Sequence, residues 1–305
     1  MKLKTILWLF VLASLWGPAF LFVKVTVEEV PPLTLVAVRV SLAAIMLYIL
    51  MRIQNHNLPR FGSIWKLFAI SGLLNNAVPY VLLSWGELYI DSALAGILIG
   101  IAPLFTLILA HFFTTSDHFT PTKTIGVAVG FGGLITLLAP TLMGGVQATL
   151  WGLLASLAAA LCYGAGIVYS KKYLRGLPPL VGPTAQLTAA AMFLVPLSLL
   201  VERPYTLPIP SWTATGSLLL LATFSTALAF ALYFRAMETI SATVLSMVTY
   251  IVPVVAMVLG VVVLNEQLGW NAYLGSLLVL LGIMIVNNVF HFLGRRRLAG
   301  MAARV

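Results

Sequence analysis

Apolar residues in this chain come in long blocks rather than in alternation. Ten blocks stand out: Thr5–Val25, Leu33–Met51, Ile64–Gly86, Ser92–Phe113, Thr124–Ala139, Leu150–Ser170, Leu180–Val201, Trp212–Phe234, Ala242–Leu264 and Trp270–Leu293. A helix of about 20 apolar residues crosses the hydrocarbon core of a bilayer. Each block therefore predicts one membrane-spanning helix, with Thr124–Ala139 short for the task. The gaps are too short for a soluble domain. Barrel strands would need short segments of alternating polarity, and these blocks are long and uniform. The expected fold class is an all-α membrane protein of ten transmembrane helices.

The polar punctuation repeats. Val78–Phe113 reads as an apolar helix, a polar bend with Glu87 and Asp91, and a second apolar helix containing Pro103. Leu228–Val263 repeats this arrangement, with Arg235 and Glu238 in the bend and Pro253 in the second helix. A shift of 150 superposes Pro103 on Pro253, Ile101 on Ile251, Ile90 on Ile240 and Tyr80 on Phe230. A shift of 147 brings Lys24 onto Lys171 and Pro31-Pro32 onto Pro178-Pro179. A shift of 149 brings Asp117 onto Glu266, Gly126 onto Gly275 and Gly133 onto Gly282. The changing shift implies small loop insertions. The expected units are residues 1–145 and 146–305, the second ending in a basic tail. Five spans per unit reverse the second copy across the membrane, so an inverted five-plus-five repeat is expected. A proline within a span bends the helix and frees a carbonyl, so Pro103 and Pro253 are candidate hinges. The double prolines sit where they would open the second and seventh helices.

Composition agrees with this picture. Of 305 residues, 61% are hydrophobic and 8% charged, against about 25% charged in soluble domains. The net charge of +9 reads as a topology signal rather than a nucleic-acid footprint. With the N-terminus cytoplasmic, fourteen Lys and Arg fall on the inner side and two, Lys24 and Arg203, on the outer. That bias predicts a multi-pass protein of the bacterial inner membrane with both termini cytoplasmic. Cys162 is the only cysteine, which excludes an internal disulfide and a cysteine metal cluster. Met1–Gly17 has the charge pattern of a signal peptide, but its apolar run continues to Val25 and reads as the first span.

The Trp16-Gly17…Lys24 run, Arg39, the Ser92–Pro103 helix, and Asn265-Glu266…Gly275…Gly282 with its Asp117…Gly126…Gly133 counterpart carry a resemblance. The chain resembles the drug/metabolite transporter superfamily in its ten-helix form with two EamA-type repeats, from about Thr5 to Leu293. Within it, the chain looks most like the YddG-type amino-acid exporters of bacterial inner membranes. That resemblance implies outward movement of an amino acid or similar small metabolite.

Several chemistries lack their residues. No P-loop is present for ATP, and no His-Glu-x-x-His or Gly-x-Ser-x-Gly hydrolase signature. The chain is not expected to be an enzyme, to need a cofactor or to hold a metal. All eight acids lie at span ends or in loops. Proton-coupled carriers often use a mid-membrane carboxylate, so movement down a gradient is the expectation here.

The candidate cavity residues are Trp16, Arg39, Asn76, Tyr80, Ser84, Tyr163, Tyr233, Ser246 and Tyr250. Arg39 is the one full charge within a span. It reads either as an attractor for a solute carboxylate or as a structural group bridging to carbonyls, Glu28 or Glu29. Its counterpart Gln186 is neutral. Asn76, Tyr80 and Ser84 are four residues apart and share one stripe, which lines a cavity or glues helices. Trp16 and Tyr163 occupy matching places on the first and sixth spans, and Tyr233 lies near the end of the eighth. Ser246, Tyr250 and Pro253 share a face, where Tyr250 either bonds a solute or fills packing space. Gly126 and Gly130 form one Gly-x-x-x-Gly, for contact within one chain or between two.

The expected function is therefore broad-specificity export of amino acids or related metabolites by alternating access. The alternative is a multidrug or other metabolite exporter of the same fold; an intramembrane enzyme or a scaffold fits less well. The expected partners are the lipid bilayer and a small solute, with no nucleic acid and no ATP. The chain would act as a monomer or weak homodimer.

Overall fold

The computed structural model describes residues 3–114, 120–144, 147–174, 176–237, 240, 245 and 247–287. The described residues form helices and connecting turns. Eight helical stretches are long and apolar enough to cross a bilayer: Thr5–Val27, Pro32–Ile53, Ser63–Gly86, Ser92–Phe113, Pro121–Pro140, Thr149–Tyr173, Val181–Val201 and Trp212–Met237. Two shorter apolar helices, Val248–Val263 and Trp270–Val286, follow. We refer to these ten in order as the first to tenth helices. The fifth is longer than its apolar block suggested, because Pro121 opens it three residues upstream, where a missing N–H costs nothing. The expected start of the ninth helix and end of the tenth fall outside the described residues.

Apolar side chains cover the outside as well as the core. Phe10, Ile135, Leu200 and Val262 are all more than 60% exposed. In water that surface would be unstable; against lipid tails it carries no penalty. Trp151, Trp212 and Trp270 are exposed at helix ends, as suits interfacial anchors.

The helices pair across the two sequence units. The second packs along the seventh, the fifth along the tenth, and the fourth crosses the ninth. The third packs on the sixth and the first on the eighth. The first also lies on the ninth, and the fourth on the sixth. Glycine sets the closest of these approaches. A Cβ on Gly126 would stand 2.7 Å from the Gly282 carbonyl oxygen, and one on Gly133 2.7 Å from that of Gly275. The glycine seam of the fifth helix therefore lies against the tenth, within one chain.

The bends differ from what proline positions suggested. The third and eighth helices each contain one widened π turn, Leu73–Ala77 and Thr223–Leu228, and the shift of 150 superposes their starts. In the first, Pro79 lacks the N–H that would close the preceding turn. In the second no proline is present, and the Thr226 hydroxyl instead donates to the Leu221 carbonyl at 2.8 Å. The fourth helix breaks between Ile99 and Ala102, just before Pro103. The ninth runs unbroken from Val248 through Pro253 to Val263. The two prolines thus have unlike backbones. They meet indirectly, since Pro253 Cγ would lie 3.0 Å from a Cβ placed on Gly100.

One end of the bundle is tied by carboxylates that cap helices from the other unit. Glu202 accepts from the Leu33 and Thr34 amides at 2.9 and 2.6 Å, and from the Thr34 hydroxyl at 2.7 Å. Glu266 accepts from the Ser92 and Ala93 amides at 2.7 and 3.0 Å. Glu29 accepts from the amide and hydroxyl of Ser211, each at 2.6 Å. These bonds hold the Glu29 carboxyl below its usual range. Each carboxylate sits at the positive end of a helix dipole, where amides lack intrahelical partners. Asn265 adopts a left-handed backbone with φ 56°, a helix-ending conformation that asparagine tolerates and that turns Glu266 back toward the fourth helix.

Candidate functional site

Arg39 lies on the second helix and is 4% exposed. Burying a guanidinium in a membrane helix costs about 2.5–3.5 kcal/mol at mid-depth, so it must find partners. The structure supplies two. Its Nε donates to the Thr226 hydroxyl at 2.9 Å, in the widened turn of the eighth helix. Its Cζ lies 3.7 Å from the centre of the Tyr80 ring on the third helix. A hydrogen bond to a charged group contributes about 1.5–3 kcal/mol and a cation–π contact about 0.5–2 kcal/mol, together enough to offset the burial. Arg39 does not reach Glu28 or Glu29, which the sequence offered as partners. Glu29 is engaged by Ser211 instead. Among the described residues, the terminal guanidinium nitrogens make no hydrogen bond.

Tyr80 in turn meets Tyr163 of the sixth helix edge-on, with ring centres 6.3 Å apart. Tyr163 packs against both of the larger apolar clusters, so it stands where they adjoin. Arg39, Tyr80, Tyr163 and Thr226 therefore converge from the second, third, sixth and eighth helices.

The other expected cavity residues divide. Trp16 pairs with Tyr233, ring centres 5.3 Å apart, in a separate cluster with Leu12, Leu245 and Val248. Tyr250 accepts a hydrogen bond from the Asn287 amide at 2.6 Å, which ties it to the end of the tenth helix. Asn76 and Ser84 are buried, and among the described residues the Asn76 Oδ1 and Ser84 Oγ atoms have no hydrogen-bond partner. Ser246 lies outside the described residues.

Sequence reading missed three groups. Thr226 is not among the candidate cavity residues read from the sequence. Its role depends on the widened turn, for which the eighth helix carries no proline signal. Lys24 donates to the Glu87 and Ile90 carbonyls at 2.6 and 2.9 Å, closing the end of the third helix. Glu87 itself is 0% exposed, although it lies in the polar bend at a span end.

A model of the EamA-like transporter family matches residues 3–139 and again residues 150–288. The uncharacterized transporter YoaV of Bacillus subtilis strain 168 is 29% identical over 295 residues, covering 96% of this chain and 99% of YoaV. A protein of Streptantibioticus cattleyicolor, named a probable terminal-alkyne amino-acid exporter, is 29% identical over 306 residues, covering all of both chains. The inner membrane transporter YedA of Escherichia coli K12 is 25% identical over 280 residues, covering 91% of this chain and 89% of YedA. A protein crystal structure superposes with a TM-score of 0.67 at 19% identity, over 95% of this chain and 99% of that one. At that identity the superposition speaks for the fold alone.

Proposed function

Because the chain belongs to the EamA-like transporter family, a multi-pass membrane transporter family rather than an enzyme family, we propose that it exports amino acids or related small metabolites. Arg39 carries this reading. It is a buried guanidinium fixed on one side by Thr226 and on one face by Tyr80. Its planar fork then remains available to a solute carboxylate, the geometry for which arginine is best suited. The aromatic rings of Tyr80 and Tyr163 beside it would accept varied side chains without specific hydrogen bonds, and so favour broad specificity. The amino-acid exporter among the relatives supports the solute class.

The mechanism we propose is alternating access between two inverted five-helix halves, divided near residue 145. Its support is the reciprocal pairing of first with eighth and third with sixth, and of first with ninth and fourth with sixth. The fourth helix, broken before Pro103, and the ninth, which carries Pro253, would flex. Trp16, Asn76, Ser84, Tyr233 and Tyr250 would line the route on either side of the Arg39 cluster, with Ser246 a further candidate. The excess of Lys and Arg on one set of loops supports a reading with both termini in the cytoplasm. The capped glutamate end then faces outward. The test is flux of labelled amino acids into proteoliposomes of the purified chain. Protein-dependent movement of several neutral amino acids is expected; no movement of any would defeat the reading.

A further inference from the structure

Glu87 is the first residue beyond the third span and is 0% exposed. Neither of its carboxylate oxygens has a hydrogen-bond partner among the described residues. Its neighbours at this end behave otherwise: Glu29, Glu202 and Glu266 each bond a helix amide. Lys24 gives its ammonium to backbone carbonyls, one of them that of Glu87. A buried carboxylate without donors is costly, whereas a neutral carboxylic acid is not. The charged groups acting on it come from three elements. Burial has the largest effect and pushes the carboxyl well above its usual range. Lys24 on the first helix and Arg39 on the second oppose this, while Glu266 beyond the ninth helix adds to it. Asp91, on the same bend, is likewise raised by burial and by Glu266.

Glu87 also continues a stripe. Asn76, Tyr80, Ser84 and Glu87 follow at helical spacing on the third helix. Ser84 is buried with an unpartnered hydroxyl, and Tyr80 touches Arg39. A polar face thus runs from the unpartnered carboxyl to the proposed solute site. An ionised Glu87 would draw a solute ammonium along this face; a neutral one would not.

We propose that Glu87 is a proton-binding site that is loaded and emptied in each cycle, so that solute leaves in exchange for an entering proton. Water on one side delivers the proton to a carboxylate oxygen, an O–H bond forms, and the same proton returns to water on the other side. No further reactant is consumed. The coupling rests on the export reading; the proton site does not.

Two measurements on the full chain separate them. Infrared difference spectra in detergent should show a protonated carboxyl band at neutral pH that is absent in Glu87→Gln. In proteoliposomes clamped at zero potential, a labelled neutral amino acid should accumulate on the acid side, about tenfold per pH unit for one proton per solute. Glu87→Gln should lower that ratio to about one, and Glu87→Asp should keep the response with a displaced pH midpoint. No band at neutral pH would overturn the proton site. Equal accumulation by wild type and Glu87→Gln would overturn the coupling. A band without movement of any amino acid would leave the proton site standing and remove the export reading.

Discussion

The third and eighth helices share one irregularity in matching places, the widened turns Leu73–Ala77 and Thr223–Leu228, yet they use it differently. Thr226 in the eighth helix receives Arg39 from the second. The equivalent residue of the third helix, Asn76, is buried, and its side-chain carbonyl oxygen has no partner among the described residues. The backbone of one repeat is thus copied in the other, while the charge is not. Shape is needed twice, because both repeats must bend and pack alike. On the proposed reading, a carboxylate-binding group is needed once, because there is one solute.

The largest effect should come from making the repeats alike. Arg39→Gln gives the second helix the residue of the seventh. It should weaken transport of carboxylate-bearing solutes about 10–100-fold, the equivalent of losing about 1.5–3 kcal/mol of charged hydrogen bonding. Initial-rate flux against solute concentration measures it, and unchanged flux would mean the asymmetry is idle.

The shared part of the comparison is sharpened by stability. Gly126 and Gly275 hold matching positions, and a Cβ on either meets the backbone of the partner helix within 3 Å. Gly126→Val and Gly275→Val should each cost about 1–3 kcal/mol through overpacking. Thermal unfolding in detergent should show similar losses; markedly unequal ones would break the equivalence of the repeats.

A smaller contrast lies in the widened turns themselves. Thr226→Val removes the Arg39 partner and should raise the apparent KM about tenfold, as loss of one hydrogen bond to a charge implies, with Thr226→Ser restoring it. Asn76→Leu removes an acceptor that bonds nothing and should leave thermal stability level or slightly higher. A KM that ignores Thr226→Val would detach Arg39 from the solute.

Much of this was legible in the residues. The apolar blocks marked every helix, because a bilayer demands a minimum apolar length whatever the neighbours do. The glycine matches at a constant shift marked the fifth and tenth helices as equivalent, and the structure lays those glycines against each other. Tyr80 and Tyr163 were singled out, and they meet beside Arg39. The glutamate caps were not legible. Glu202 and Leu33 are far apart in sequence, and nothing local says which helix start a loop acid will reach. The burial of Glu87 was not legible for the same reason: it lies in a bend at a span end, and only the packing of other segments buries it.

Composition and periodicity alone determined that this chain lives in lipid, crosses it repeatedly and repeats its plan, since those properties follow from transfer energies summed along the chain. Tertiary structure decided which polar groups meet. It paired Arg39 with Thr226 rather than Glu29, and it left Glu87 buried without a donor among the described residues. Those choices depend on contacts between residues distant in sequence, whose geometry a linear pattern does not contain.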